Sequence, residues 1–493
     1  MKFLAAFIAL FLCSLAPAAA ADLCESRAQF TREEIEQMRH WIAMSVPVPD
    51  MEAARNIAID VESIDALGPE IEVRQGVAHI IVSGRMRRLN CRLVVAGYFR
   101  ALPQLMPTSE IAAALAPLRQ CIGDDSNLLP CIEAALDRLW PAATVALDKM
   151  GSLHRAGLQQ YLVDGAFMSL IMHEFGHYRL RHSPDLRDFD ALANQEIDAD
   201  IYAVMTGSAL EYVGLAAMYN FAFLGALPSP MPKIDSPHES FTCRMMLSGR
   251  IAGAIAFRAR FIIQLAQFED ADFRKNVAAV SRGEAGADVP TPAECRARST
   301  SGLDAMAADL RRIAEVQVEL GPMPRALQPK SLIERLIALP LTTPLGKQIR
   351  SRIVIIYAVR ADWWRSGTEM GWLAGALDPE RNKASFIARD YGKLLGMWAI
   401  AMRASPATPP NAAELHRLFA LSRHYNPEFT LGRAFEGELY ASEGKCGEAI
   451  ALLAPPPAAV NALSLDPLAR LGDRTRIAQL SEARSKQAQG GCP

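Results

Sequence analysis

The segment His173-Glu174-Phe175-Gly176-His177 has the pattern H-E-x-x-H. On a helix, residues four positions apart lie on one face, so both imidazoles can bind the same metal ion. Glu174 points about a quarter-turn away, where its carboxylate can take a proton from water without binding the metal. This spacing predicts hydrolysis at a metal centre. Two surface histidines on an ordinary helix are the alternative interpretation.

An acidic segment follows, in which Glu196 comes 19 residues after His177. A hydrolytic zinc ion takes three protein ligands and keeps one position open, and Glu196 is a candidate for the third ligand. Asp200, four residues later on the same helical face, can accept a hydrogen bond from a ligand histidine and fix its tautomer. A solvated acidic face is the alternative, but Ile197 and Ala199 alternate with these acids and favour a packed helix.

The two motifs, H-E-x-x-H and then E-x-x-x-D, resemble those of the gluzincin metallopeptidases, in particular the family of CaaX prenyl proteases, HtpX and BepA-like periplasmic proteases. That family also carries a downstream histidine with an arginine six residues later, a spacing that His238 and Arg244 match. The prolines that follow this histidine in the family are missing here, and Pro237 precedes it instead. The resemblance covers about residues 70 to 270.

The resemblance implies one zinc ion per chain, bound by His173, His177 and Glu196. It also implies that Glu174 is the general base and that Asp200 supports a ligand from outside the metal's own shell. It further implies that the downstream histidine stabilises the oxyanion of the tetrahedral intermediate and that the arginine supports the cleft.

The elements that must position these residues are mainly helical. Thr31 to Met44 is predicted to be a helix, with Thr31 as the N-cap and Glu34 three residues later. From Ser109 onward the pattern is again helical. The predicted fold class is therefore mainly α (α+β), which for this family means a zincin-like domain with a small β-sheet.

The one predicted β region runs from Ile71 to Phe99. The β-branched runs Val77–Val82 and Cys91–Ala96 are predicted to be strands, separated by Gly84 and basic residues. By the resemblance, the edge of such a sheet holds an extended peptide through strand addition.

The chain begins with the features of an export signal. Met1-Lys2 is followed by the apolar run Phe3 to Leu12 and by small residues at Ala18 to Ala21. An uncleaved membrane anchor is the alternative, but the run is short for a span, and no span is predicted in the mature chain. We expect an exported protein, periplasmic or secreted. The short 19-residue gap is closer to intracellular gluzincins that cleave phage-type repressors, whereas export favours the first family.

The cysteine content agrees with an oxidising compartment. Nine cysteines occur, and removal of Cys13 with the signal leaves an even number. Proximity along the chain predicts three disulfides: Cys121–Cys131, Cys243–Cys295 and Cys446–Cys492.

The C-terminal region contains a segment that resembles a tetratricopeptide unit. Leu431 to Phe435 and Tyr440 to Ile450 have small residues where two helices would cross and Gly444 at the turn. Ala384 to Met402 and Asn411 to His424 are candidate degenerate units, and a plain helical bundle is the alternative. A repeat would offer a concave surface for a protein partner.

Composition limits the remaining function classes. Lysine and arginine total 52 against 54 acidic residues, so no basic excess favours nucleic acid. We divide the chain into a signal peptide at 1–21, a zinc metallopeptidase domain at 22–280, a linker region at 281–330, and a helical, TPR-like region at 331–493.

The sequence therefore predicts an exported zinc-dependent endopeptidase that acts on proteins or peptides, with envelope protein quality control as its setting by resemblance. A non-catalytic helical-repeat adaptor or chaperone with a vestigial peptidase domain is the second hypothesis, and a structural zinc is the third. The presence of Glu174 argues against the second, because a binding-only site does not need that carboxylate.

Overall fold

The structure is a computed structural model of the chain. It describes residues 23–64, 68–101, 109, 113, 128–150, 163–183, 189–207, 303–319, 329–360, 366–378, 384–404, 411–427 and 429–453. Within these residues the fold is mainly helical with one small β-sheet, as the sequence predicts. The predicted signal peptide lies outside the described residues. In the part of the chain that is described, no helix has the length and apolar character needed to cross a membrane.

The elements of the described residues follow in chain order. The helices are α1 (Arg32–Ser45), α2 (Met51–Asn56), α3 (Gly84–Ala101), α4 (Leu128–Lys149), α5 (Asp164–Leu180), α6 (Phe189–Gly207), α7 (Leu303–Glu319), α8 (Pro329–Ile337), α9 (Pro344–Arg360), α10 (Gly367–Leu377), α11 (Ile387–Ala404), α12 (Ala412–Tyr425), α13 (Thr430–Ser442) and α14 (Cys446–Leu453). The strands are β1 (Ala58–Val61), β2 (Glu70–Arg74) and β3 (Val77–Val82).

Helix α1 begins where the sequence predicts. The Thr31 hydroxyl accepts a hydrogen bond from the Glu34 backbone N–H at 3.1 Å, and the Glu34 carboxylate accepts one from the Thr31 backbone N–H at 3.0 Å. This reciprocal capping box satisfies two backbone donors that a helix N-terminus otherwise leaves without partners. The predicted helix and its cap are confirmed.

The sheet has the strand order β1-β3-β2, with β3 parallel to β1 and antiparallel to β2. Gln75 and Gly76 form the tight turn between β2 and β3, and both have positive φ angles, of 52° and 81°. The predicted strand Val77–Val82 is confirmed. Its Ile80 and Val82 are fully buried in a core that the sheet shares with helices α1, α2 and α5.

The predicted strand Cys91–Ala96 is wrong, because these residues lie within helix α3. The Ser83 hydroxyl accepts a hydrogen bond from the Met86 backbone N–H at 3.1 Å, at the start of that helix. Val94 and Val95 are fully buried in a core formed with α4 and the start of α5. A helix buried around most of its circumference shows a continuous apolar run, which periodicity cannot distinguish from a buried strand.

A disulfide joins Cys24 to Cys91 across 67 residues of sequence. These are the two mature cysteines that the three predicted pairs left out. Cys131 and Cys446 are also disulfide-bonded. Their predicted partners, Cys121 and Cys492, lie outside the described residues. So do Cys243 and Cys295, which form the remaining predicted pair. Those three pairings stay predictions.

Helix α6 belongs to two cores. Tyr202 and Ala203 pack with α5 and the sheet, whereas Val204 and Met205 pack into a larger core formed by the C-terminal helices. Helix α7 contributes to the same larger core, although it falls within the predicted linker region at 281–330. The division into domains stays a prediction.

Two buried arginines join the C-terminal helices to the rest of the molecule. Arg352 of α9 donates a hydrogen bond to the Met205 carbonyl of α6 at 2.9 Å and pairs with Asp390 of α11 at 2.7 Å. Arg389 of α11 donates to the Met44 carbonyl in the last turn of α1. The C-terminal helices therefore satisfy carbonyls at the ends of two N-terminal helices.

The helices from α11 onward form two consecutive hairpins, α11–α12 and α13–α14. Gly444, with a φ angle of 75°, lies in the turn between α13 and α14, as expected from the sequence. At Gly392 of α11, a Cβ would come within 2.7 Å of Asn426, so a larger residue would separate α11 from the end of α12. The helical segments are confirmed, and their assignment to a repeat family stays a prediction.

Replacing Cys24 and Cys91 together by serine is expected to lower the free energy of unfolding by about 2–5 kcal/mol, because the unfolded chain regains the freedom of a long loop. Guanidinium unfolding without reductant measures this, with Ser26→Ala as a control that keeps both cysteines. An unchanged midpoint in the double serine variant would show that this crosslink does not stabilise the fold.

Candidate metal centre

Helix α5 holds the two motif histidines in a fixed position. Its first half is packed in the core, where Phe167, Ile171 and Met172 are at most 2% exposed. His173 lies at the end of this buried stretch and is 7% exposed, and His177 is one turn later and partly buried. Because the helix is fixed by its apolar half, both imidazoles are presented from a rigid element.

Helix α6 brings a carboxylate to the same point. Glu196 Oε2 lies 3.2 Å from His173 Nε2, and Glu196 Oε1 lies 3.4 Å from His177 Nε2. The two Nε2 atoms are 3.0 Å apart. One ligand atom from each of these three residues lies within 4.8 Å of the others, so the group could hold a metal ion. We call His173, His177 and Glu196 the ligand cluster.

The other ring nitrogen of each histidine also lies close to a polar side chain. His173 Nδ1 lies 3.0 Å from Asp200 Oδ1, and His177 Nδ1 lies 2.8 Å from His182 Nδ1. A neutral imidazole carries one proton. With the proton of each imidazole on Nδ1, both Nε2 lone pairs are on the side of the Glu196 carboxylate. The donor set therefore fits a cation that prefers nitrogen and oxygen ligands.

The acids of helix α6 divide by exposure. Glu196 and Asp200 are 8% and 5% exposed, and Ile197 and Ala199 are also buried. Asp198 faces solvent. The alternative of a solvated acidic face is therefore wrong for the two residues that approach the histidines.

The close approach of α5 and α6 depends on Gly176. A Cβ at this position would lie 3.3 Å from Tyr202 Cβ and 3.4 Å from the Ala199 Cα. Such contacts are tighter than most in folded proteins, so the glycine permits a separation that a larger residue would increase. Gly176, the residue just before His177 in the motif, thus permits the close approach of α6, which carries Glu196, to the two histidines.

Asp50 connects the same two helices on the outside. Its Oδ1 accepts hydrogen bonds from Arg179 of α5, at 2.6 Å from Nη2 and 2.9 Å from Nε. Its Oδ2 accepts one from the Tyr202 hydroxyl of α6 at 2.8 Å. Burial, followed by the charge of Asp50, raises the pKa of Tyr202 well above its usual value, so the hydroxyl remains a donor.

His182 follows His177 by five residues, a spacing that on a continued helix would place it off the ligand face. Helix α5 ends at Leu180 instead, Arg181 has a φ angle of 57°, and the chain turns back. The His182 backbone N–H donates to the His177 carbonyl at 3.0 Å, and that of Arg181 donates to Tyr178 at 3.2 Å. This Schellman geometry places His182 beside His177. Burial, followed by the charge of His177, lowers the pKa of His182 to about 4.

The remaining predicted site residues have different outcomes. Glu174 is on α5 next to His173 and is partly exposed, about 100° around the helix axis from it. Its role as a base stays a prediction. His238 and Arg244 lie outside the described residues, so their predicted roles are likewise untested.

Comparison with known proteins adds no family assignment. No protein-family model, no curated protein and no solved structure matches this chain.

Gly176→Val is expected to lower zinc affinity and the melting temperature, because a branched side chain must push α6 away from α5. Gly375→Val is the matched control, since a Cβ at this helical glycine meets nothing within 4 Å. Calorimetry and zinc titration of both variants measure the difference. Equal effects of the two substitutions would mean that the close approach at Gly176 does not position the cluster.

Asp50→Ala is expected to destabilise the fold by at least about 1.5–3 kcal/mol, the contribution of a hydrogen bond to a charged group. Tyr202→Phe removes only one donor to the same carboxylate and should have a smaller effect. Denaturant unfolding of both variants tests this order. The reverse order would contradict the interpretation of Asp50 as a link between the two helices.

Proposed function

We propose that this protein is a zinc-dependent hydrolase of peptide bonds, an endopeptidase of the gluzincin type. The observation that supports it most is the buried cluster of two imidazole Nε2 atoms and one carboxylate. Its Nε2 atoms are 3.0 Å apart, and each histidine has a different polar side chain within 3.0 Å of its Nδ1. A positive charge at the centre of such an arrangement would stabilise it, because a buried carboxylate is costly without compensation.

The donor set favours zinc. Two imidazole nitrogens and one carboxylate oxygen are the three-ligand set of hydrolytic zinc sites, which keep a fourth position open. Structural zinc sites are normally closed by four ligands and are rich in cysteine. Among the described residues, this cluster offers three ligands and no sulfur. The cluster by itself fits any divalent cation that prefers nitrogen and oxygen ligands, and we propose that this cation is zinc.

When bound, a zinc ion supplies a Lewis acid that polarises a scissile carbonyl and makes water more acidic. Glu174 is the residue of this chain that would accept the proton from that water and return it to the leaving amine. Asp200 would hold the proton of His173 on Nδ1, at the observed 3.0 Å, so that Nε2 stays available. The predicted assignments of His238 to the oxyanion and of Arg244 to the cleft complete the scheme.

The edge of the small sheet offers a place for a protein or peptide substrate to bind. Strand β2 is paired with β3 on one side, and β2 and β3 both contact helix α5, which carries the histidines. Val73 of β2 is 61% exposed. The outer edge of β2 could therefore pair with an extended peptide, as the resemblance implies. Export to the periplasm, and a role in envelope protein quality control, complete the proposal.

A helical-repeat adaptor is the second candidate, and the two C-terminal hairpins α11–α12 and α13–α14 favour it. In that case the hairpins would bind a protein partner and the cluster would be vestigial. The two functions differ in Glu174, which only a hydrolase requires.

Zinc content and hydrolysis of fluorescein-labelled casein by the purified full-length protein test the proposal. We expect about one zinc per chain in the parent and in Glu174→Gln, and loss of zinc in Glu196→Ala. Casein turnover should fall about 10²–10⁴-fold in Glu174→Gln, because the general base is lost while the metal site remains.

The pattern of failure identifies the alternative. A metal-replete parent without zinc would overturn the proposal and favour the adaptor. Zinc in the parent with equal turnover in Glu174→Gln would leave a metal site but exclude this mechanism. Unfolding of the parent on chelator treatment would indicate a structural metal, whereas loss of activity with the fold retained is the expected result.

A further inference from the structure

We propose that His182 is a positioning residue for the metal site: its Nδ1 accepts a hydrogen bond from the His177 Nδ1–H and thereby presents His177 Nε2 to the metal. This inference deepens the proposed function and rests on its metal site.

The geometry makes this pairing specific. The two Nδ1 atoms are 2.8 Å apart, and the rings meet edge to face with centroids 4.8 Å apart and an interplanar angle of 77°. Two ring nitrogens this close need one donor and one acceptor, unless both bind the same cation, as we propose for the Nε2 atoms of His173 and His177. Since His177 Nε2 faces Glu196 and His173, its Nδ1 is the nitrogen available to donate.

The backbone enforces the pairing. The Schellman turn hydrogen-bonds residue 182 directly to residue 177, at 3.0 Å from N to O. In a continued helix, a spacing of five would place the two side chains on different faces. The left-handed Arg181, with its φ angle of 57°, instead returns the chain so that both rings lie on the same side.

The pairing completes a symmetric support for the two ligands. Asp200 Oδ1 lies 3.0 Å from Nδ1 of His173, and His182 Nδ1 lies 2.8 Å from Nδ1 of His177, so each ligand has one polar neighbour on its Nδ1 side. The two supports differ in charge, because Asp200 is a carboxylate whereas an accepting imidazole is neutral. A neutral acceptor fixes the tautomer without adding a second negative charge outside the ligand cluster, which leaves the cation a stronger electrophile.

Zinc affinity of the full-length protein, measured by competition with a chromophoric chelator, tests the proposal. We expect His182→Ala to weaken zinc binding about 10- to 100-fold, as is typical for loss of a partner behind a metal-binding histidine. His182→Asn should restore most of the affinity, because its amide oxygen can take the place of Nδ1 as acceptor. Arg181→Gly is the control, since glycine adopts the same positive φ without strain and the Arg181 side chain is exposed.

A second measurement distinguishes a positioning role from a general loss of structure. In the zinc-loaded parent, nitrogen-15 correlation spectra should show His177 protonated at Nδ1 and bound through Nε2. His177 bound through Nδ1 would overturn the inference. A zinc affinity of His182→Ala equal to that of the parent would also overturn it. So would equal losses of zinc affinity in His182→Ala and His182→Asn if both variants keep the circular dichroism spectrum of the parent. A parent without zinc would overturn the proposed function and this inference together.

Discussion

Two imidazole nitrogens and a carboxylate of different helices share one small buried space, and much of the described structure serves to hold them there. The Nε2 atoms of His173 and His177 are 3.0 Å apart, and both face Glu196. Polar groups in such a position are costly to bury unless each has a partner. The N-terminal half of α5 is therefore anchored in the core, and a glycine lets α6 approach closely. Asp50 ties the same helices together from outside.

The C-terminal helices also help to hold helix α6, which carries Glu196, because they pack against its end. Helix α6 carries Glu196 near its middle and ends in the C-terminal core, where Val204 and Met205 are buried. Arg352 donates to the Met205 carbonyl and is itself paired with Asp390. The C-terminal hairpins therefore extend from helices that hold the far end of α6. A partner bound to them would act through this packed connection rather than through a flexible linker.

The sequence predicted those features that depend on local spacing. The i, i+4 histidines, the buried Glu196 and Asp200, the capping box at Thr31 and strand β3 each follow from residue types and spacing within one short segment. Features set by tertiary contact were missed. The valines of α3 are accommodated in a helix because the core surrounds them. Cys24 comes close to Cys91 only in the folded chain. His182 was missed because a single left-handed residue changes which side chains are neighbours.

X-ray absorption at the zinc edge of the zinc-loaded protein tests the central claim most directly. We predict nitrogen and oxygen scatterers at about 2.0–2.2 Å, including two imidazoles, with neither sulfur nor a full shell of water. In His177→Ala, one imidazole should be lost from the same spectrum. A parent spectrum without imidazole, or one that His177→Ala leaves unchanged, would show that a metal binds elsewhere and that His173, His177 and Glu196 are not its ligands.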